Sequence, residues 1–388
     1  MEKERLEWLK QVEDWLLTEE AQCGQDALVE RERLFVALKT LNYEWDYLLD
    51  AYGSASEVPV LLLKLTSDNP EVRERAILTL YTTVFHQGMR TLSAVYVVSF
   101  LFYLLLSEKV HSKEEIIDYL VRLAIGYPEE SLPEGVDPAA MRQAADDAEQ
   151  GMTREQRGAY LYEYYSLRVE VQCYQEVFRQ LDILMPLTHD PDPKIRKSAI
   201  FALAWFPEQA EQSLIHILDQ LESETEDAAV ANAILAAGLL IFQAGLSPEL
   251  LKLEKYRGEA FGPLVRMAVA IVQGRFSLNR ESIDLLLASL CEADQLNQFH
   301  REDIQFYDGW FVSYVIEILT CGTVDSQKEV VLSLCDRIGT YQKIESSSVR
   351  YAILDLLNQV QDDVYSENIN LLVACGFPEQ KADLFKLN

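Results

Sequence analysis

At 388 residues and 49% hydrophobic, the chain can bury a large core; its 63 Asp and Glu against 34 Lys and Arg leave a net charge of −29. Nucleic-acid affinity comes largely from basic groups displacing phosphate counterions, so this balance argues against DNA or RNA as a ligand, and against anionic membranes. It favours encounter with basic proteins. The six cysteines, at 23, 173, 291, 321, 335 and 375, form no Cys-x-x-Cys. They are expected to be reduced thiols used as small apolar residues in a cytoplasmic compartment. Met1-Glu2-Lys3-Glu4-Arg5 carries both charge signs with no apolar run behind it, unlike a cleaved signal peptide.

Residues 2–20 are predicted as an amphipathic helix with Leu6, Leu9, Val12, Trp15 and Leu16 on one face. Helices are expected over Glu30–Thr40 and Asn42–Tyr52, the latter carrying Tyr43, Trp45 and Tyr47, before a break at Tyr52-Gly53-Ser54-Ala55-Ser56. Pro59–Leu65 opens the next helix. Asp68-Asn69-Pro70-Glu71-Val72-Arg73 then reads as acidic turn, proline and helix start, and Asp190-Pro191-Asp192-Pro193-Lys194-Ile195-Arg196 has the same grammar. Proline costs little at the first helical position, whose N–H has no partner anyway, and the preceding Asp can cap the free N–H groups. Leu92–Leu106, closed by Arg90 and Glu108, is an apolar run shorter than the about 20 residues of a membrane span; it is predicted as a buried helix.

Tyr127–Pro138 interrupts the helical pattern with Pro128, Pro133 and Pro138. Pro138–Gln150 permits a helix, and one long helix is expected from about 153 to 185. No strand-like alternation is evident. Beyond Thr188, helix junctions are predicted near 188–193, 206–211, 222–227, 244–248, 257–263, 274–280, 320–326 and 341–347, where Pro, Gly, Asp or Ser stops a helix. A last helix is expected over Glu367–Cys375, ended by Gly376-Phe377-Pro378.

Similar phrases recur at a step of 35 residues, starting at Ile195, Val230 and Val265, and again at Val349-Arg350-Tyr351-Ala352. The opening Asp-x-Pro-x-Ile/Val-Arg-x-x-Ala resembles the second helix of HEAT and armadillo-type repeats. The resemblance covers 68–80 and 190–204 best, and 226–240, 262–273 and 349–357 more faintly. It implies an all-α fold, a right-handed α-solenoid of HEAT-like antiparallel helix pairs. Residues 1–56 would form an N-terminal helical cap, and 57–388 the solenoid, with an acidic, Pro-rich insertion near 127–150. In such repeats the basic positions, here Lys194, Arg196 and Lys197, commonly pair with an Asp of the neighbouring layer.

The search for chemistry finds no catalytic, cofactor-binding or metal-binding constellation. His86, His111, His189, His216 and His300 include no pair spaced to share a helix face. HEAT-repeat di-iron hydroxylases use His-Glu pairs, and no His-Glu dipeptide occurs. Ser289-Leu290-Cys291 and Ser333-Leu334-Cys335 lack the context of a nucleophile elbow, so both cysteines are expected in the core. Phosphate-cradling Gly-rich loops are missing, and HEAT-like DNA glycosylases need a basic groove that this charge opposes. The candidate partner-binding surface is Glu129, Glu130, Glu134, Asp137, Asp146, Asp147, Glu149, Tyr160, Tyr162 and Tyr164. Tyrosine gives large contact area at small entropic cost, and carboxylates beside it would recognise Lys and Arg. The reading that follows is a non-enzymatic scaffold without cofactor that captures a basic protein, in its sharpest form an inhibitor or immunity protein against a toxin. The alternative is an enzyme or lyase on a helical-repeat scaffold using carboxylate catalysis.

Overall fold

The computed structural model describes residues 45, 47–107, 110–162, 166–258, 260–299 and 303–387; the side chains of 160–162, 308 and 309 are outside the description. The helices expected over 2–20 and 30–40 lie outside these residues. The described chain is all-α apart from two short ladders. Strands β1 (Leu49–Asp50) and β2 (Gly53–Ser54) pair antiparallel, as do β3 (Phe85–His86) and β4 (Met89–Arg90). The first ladder corrects the helix expected to run to Tyr52. The Asp50 carboxylate accepts the Tyr52 N–H at 2.8 Å, and Gly53 takes a positive φ of 141°. A local side-chain bond to the backbone thus closes a turn where periodicity alone suggested helix.

The chain divides into two compact units. The first, reaching Glu130 and resuming over Val136–Ala202, holds α1 (Val58–Lys64), α2 (Pro70–Thr83), α3 (Leu92–Leu105), α4 (Lys113–Ile125), α5 (Pro138–Glu149), α6 (Arg154–Tyr162), α7 (Leu167–Phe178) and most of α8 (Pro193–Leu203). At the start of α2 the cap is Asn69, not the expected Asp68: its Oδ1 accepts the Glu71 N–H at 3.0 Å. At α8, Asp192 Oδ1 accepts the Lys194 N–H at 2.9 Å. The apolar run of α3 is buried as expected, with Val97, Val98, Leu101 and Phe102 fully enclosed, and α3 packs on α4 and α7. No long helix spans 153–185. Ser166 Oγ accepts the Val169 N–H at 3.1 Å and starts α7 as a separate element, and 3₁₀ turns follow over Leu181–Ile183 and Met185–His189. The serine cap outweighs the apolar pattern that runs through it.

The second unit comprises Ser131–Gly135 and Leu203 onward. Its helices are α9 (Ala210–Ser223), α10 (Asp227–Gln243), α11 (Pro263–Phe276), α12 (Arg280–Leu290), α13 (Ala293–Leu296), α14 (Phe311–Thr320), α15 (Val324–Tyr341), α16 (Ser347–Gln359), α17 (Asp362–Glu367) and α18 (Ile369–Ala374). Every junction predicted beyond Thr188 falls between two of these elements or before α8. Successive helices from α9 to α12 pack on one another, and α15 packs on α12. Helix α10 is buried from Ala228 to Ile241, and it meets α11 where Gly238 lies against Val272. Asp227 Oδ2 accepts the Gly262 N–H at 3.0 Å, and the Tyr256 hydroxyl donates to the Leu221 carbonyl at 3.3 Å. Both bonds cross a sequence separation of 35 residues, the step read from the repeated phrases. Buried Asn232 donates to the Ala228 and Asp303 carbonyls and accepts the Gln305 N–H, tying 303–305 to α10.

One arginine does the same work in three of the phrases. Arg73 Nη1 donates to the Ser67 and Asp68 carbonyls at 2.7 and 3.1 Å, Arg196 Nη1 to those of Asp190 and Pro191 at 3.0 and 3.1 Å, and Arg266 Nη1 to that of Phe261 at 2.7 Å. Each side chain reaches back to the turn before its own helix. A guanidinium fork can hold two adjacent carbonyls in a way an ammonium cannot.

Candidate binding surfaces

The acidic segment singled out from sequence is held by its own chain at several points. Asp137 caps α5, accepting the Ala139 and Ala140 N–H groups at 2.9 Å each. Arg168 on α7 brings Asp146 and Glu149 together, at 2.5 and 2.7 Å. Hydrogen bonds to Glu149 and then Asp146 hold the Arg168 pKa above its ordinary value. Asp147 accepts from Gln143 Nε2 at 2.8 Å. Glu130 is exposed and Glu129 half-buried, both in the 3₁₀ turn Pro128–Ser131. The side chains of Tyr160 and Tyr162, and the whole of Tyr164, lie outside the described part. Asp146 and Glu149 therefore already face a cation, while Glu129, Glu130 and Asp147 carry the open charge of this segment.

Glu134 sits in the stretch Ser131–Gly135 of the second unit, which is pinned by a buried arginine. Arg275 donates to the Pro133 carbonyl and to the Tyr314 hydroxyl, with its guanidinium 5.7 Å from the Phe242 ring centre and 5.8 Å from that of Tyr314. Tyr314 stacks on Tyr307, whose hydroxyl lies 3.4 Å from Glu317 Oε2, and the Glu317 carboxyl is raised by burial and then by Glu134. Burial first, and then the Glu317 charge, push the Tyr307 phenol up to about 12. Sequence inspection missed this group because its members are spread from 133 to 317.

The outer face of α9 was also missed. Glu211, Asp219 and Glu222 are exposed on one side, with Ile215 among them 67% exposed, and exposed Glu208 lies in the 3₁₀ turn Pro207–Gln209 just before the helix. No Lys or Arg occurs between Lys197 and Lys252. That gap, with acids at helical spacing around one aliphatic residue, was the available signal.

A cleft of about 1480 Å³ opens between α14, α15, α16 and the chain after α18. Trp310 and Tyr351, 69% and 61% exposed, stand on its wall with Ile338, Ile344, Leu354 and Phe377. Glu345 and Asp355 supply its carboxylates. The lining guanidinium, Arg350, donates to the Leu387 carbonyl. The N-terminus of α16 is already met by an anion: Ser346 and Ser348 hydrogen-bond to Asp294 and hold its carboxyl below the usual range. The arrangement suits an apolar or aromatic group flanked by cations better than an anion.

Five cysteines are described and all are free thiols. Cys335 is buried as expected, whereas Cys291 is half-buried, which corrects its core assignment; of the others Cys173 is buried and Cys321 exposed. Among the described residues, no three His, Cys, Asp or Glu gather as a metal ion would require, and no helix is long and apolar enough to cross a membrane. Comparison with family models, with curated proteins and with solved structures finds no significant match.

Proposed function

We propose that this chain is a HEAT-like α-solenoid that acts as a non-enzymatic binding protein, capturing a basic protein partner on acidic helical faces. Its sharpest form is an inhibitor or immunity protein that masks a basic toxin. The repeat reading is supported by the shared arginine at 73, 196 and 266 and by the hydrogen bonds at the 35-residue step. The binding reading is carried above all by the α9 face, where Glu211 and Glu222 flank exposed Ile215 in a stretch of sequence without any Lys or Arg. Interfaces of this kind combine an apolar anchor with charges that steer the partner and fix its register.

The test is capture of partners from native lysate at low and high salt, with Glu211→Lys/Glu222→Lys and Glu129→Lys/Glu130→Lys beside the unaltered chain. One basic protein held in stoichiometric amount at low salt, and released by the α9 reversal, is the expected result. Retention unchanged by both reversals removes these surfaces from the account. Carboxylate catalysis remains a second reading because of Glu317, a raised carboxyl within reach of the Tyr307 hydroxyl. It predicts small ligands that raise the melting temperature and lose that effect in Glu317→Gln. A ligand screen without such compounds sets it aside.

A further inference from the structure

Cys335 and Cys375 stand 40 residues apart in sequence, on α15 and just after α18. Cys375 Sγ donates to the Cys335 carbonyl oxygen at 4.0 Å, and the Cys375 thiol is close enough to Cys335 to help raise its pKa, after burial. The other described cysteines have different neighbours: Cys291 lies beside Tyr341, Cys321 donates to the Ile318 carbonyl, and Cys173 is fully buried. The pair is also asymmetric. Cys375 lines the cleft and is half-buried, whereas Cys335 is 7% exposed behind it.

We propose that Cys335 and Cys375 form an oxidative modification site: hydrogen peroxide closes them to a disulfide that ties α15 to the chain after α18. The Cys375 thiolate attacks one peroxide oxygen; the O–O bond breaks, a sulfenic acid forms, and the departing hydroxide takes a proton to become water. The Cys335 sulfur then attacks the sulfenic sulfur. The S–S bond forms, the S–O bond breaks, and the thiol proton leaves with the sulfenic oxygen as a second water. Two thiols give up one electron each and the peroxide takes both, so no further reductant or oxidant is needed.

The order of events follows from access. Burial pushes the Cys335 thiol up to about 12, which disfavours its thiolate and shields it from direct oxidation, leaving it the resolving partner. The crosslink acts on the cleft itself, because Ile338 and Tyr341 lie on α15 while Gly376 and Phe377 follow Cys375 directly. Fixing these two walls to each other sets the width between them.

The test treats the reduced, native chain with hydrogen peroxide near equimolar amount, then blocks free thiols after denaturation and maps the peptides by mass spectrometry. The expected product joins the peptides carrying Cys335 and Cys375, without reduction of either alkylation-resistant site until dithiothreitol is added. Cys335→Ser should stop at a sulfenic acid on Cys375, trapped by dimedone, and Cys375→Ser should leave Cys335 fully alkylatable. Amide exchange over 369–377 should slow in the oxidised wild-type chain. The proposal is overturned if both thiols stay alkylatable after peroxide, if Cys375 pairs instead with Cys291 or Cys321, or if dimedone labels Cys335 first.

Discussion

Replacing Gly238 with alanine isolates the close approach of α10 to α11. A β-carbon there would lie 2.7 Å from Val272 Cγ1 and 3.1 Å from its Cβ, and closer still to Cγ2. Ordinary helix propensity favours alanine over glycine by about 1 kcal/mol. Against this stands overpacking of a fully buried site, typically about 1–3 kcal/mol. Val272 is fully buried and β-branched, so its stiff χ1 leaves it no cheap rotamer to escape to. The clash should win, and Gly238→Ala should destabilise by about 1 kcal/mol. Val272→Ala alone should cost about 2 kcal/mol, from two lost methyl groups and the space they leave. In the Val272→Ala background both γ-carbons are gone, so Gly238→Ala should become neutral or stabilising. Denaturant unfolding followed by far-UV circular dichroism measures all four corners of the cycle, read as midpoint shifts at constant slope. If Gly238→Ala costs the same in both backgrounds, within about 0.5 kcal/mol, the two helices do not meet through this contact.

Arg196→Ala and Arg73→Ala should each cost about 1 kcal/mol, the value of charge-assisted bonds to turn carbonyls reduced by partial exposure. Arg350→Ala, whose side chain bonds the Leu387 carbonyl, should cost less; equal losses at 73, 196 and 350 in thermal unfolding would contradict a special role for the shared arginine. Glu317 has its carboxyl raised by burial. A raised carboxyl binds its proton more tightly in the folded state, so the folded chain is penalised at neutral pH and relieved as pH falls through the raised value. Glu317→Gln should therefore stabilise at pH 7 by less than about 1 kcal/mol, since the group is only half-buried. The gain should shrink on acidification and vanish below the ordinary glutamate value of 4.5; a gain that is flat with pH would show that charge is not its source.

Much of the helical order was decided by the amino-acid sequence alone. Cap and turn chemistry acts within a turn of the residues that carry it, so Pro193 and Pro263, and the junctions at 222–227, 274–280 and 341–347, could be placed by local rules. The burial of α3 followed from an apolar run too long to be left in water. The phrase ending in arginine was legible too, although the turn carbonyls that Arg73 and Arg196 reach back to were not. Where two local signals competed, sequence periodicity lost, at Asp50 to a side-chain turn and at Ser166 to a helix cap. Tertiary structure decided everything that joins distant residues. Arg168 reaches Asp146 across 22 positions, Arg275 reaches Pro133 across 142, and Cys335 meets Cys375 across 40. Charge, burial and partner for these groups depend on which helices pack together, and hydrophobic pattern names a buried face without naming the helix that covers it.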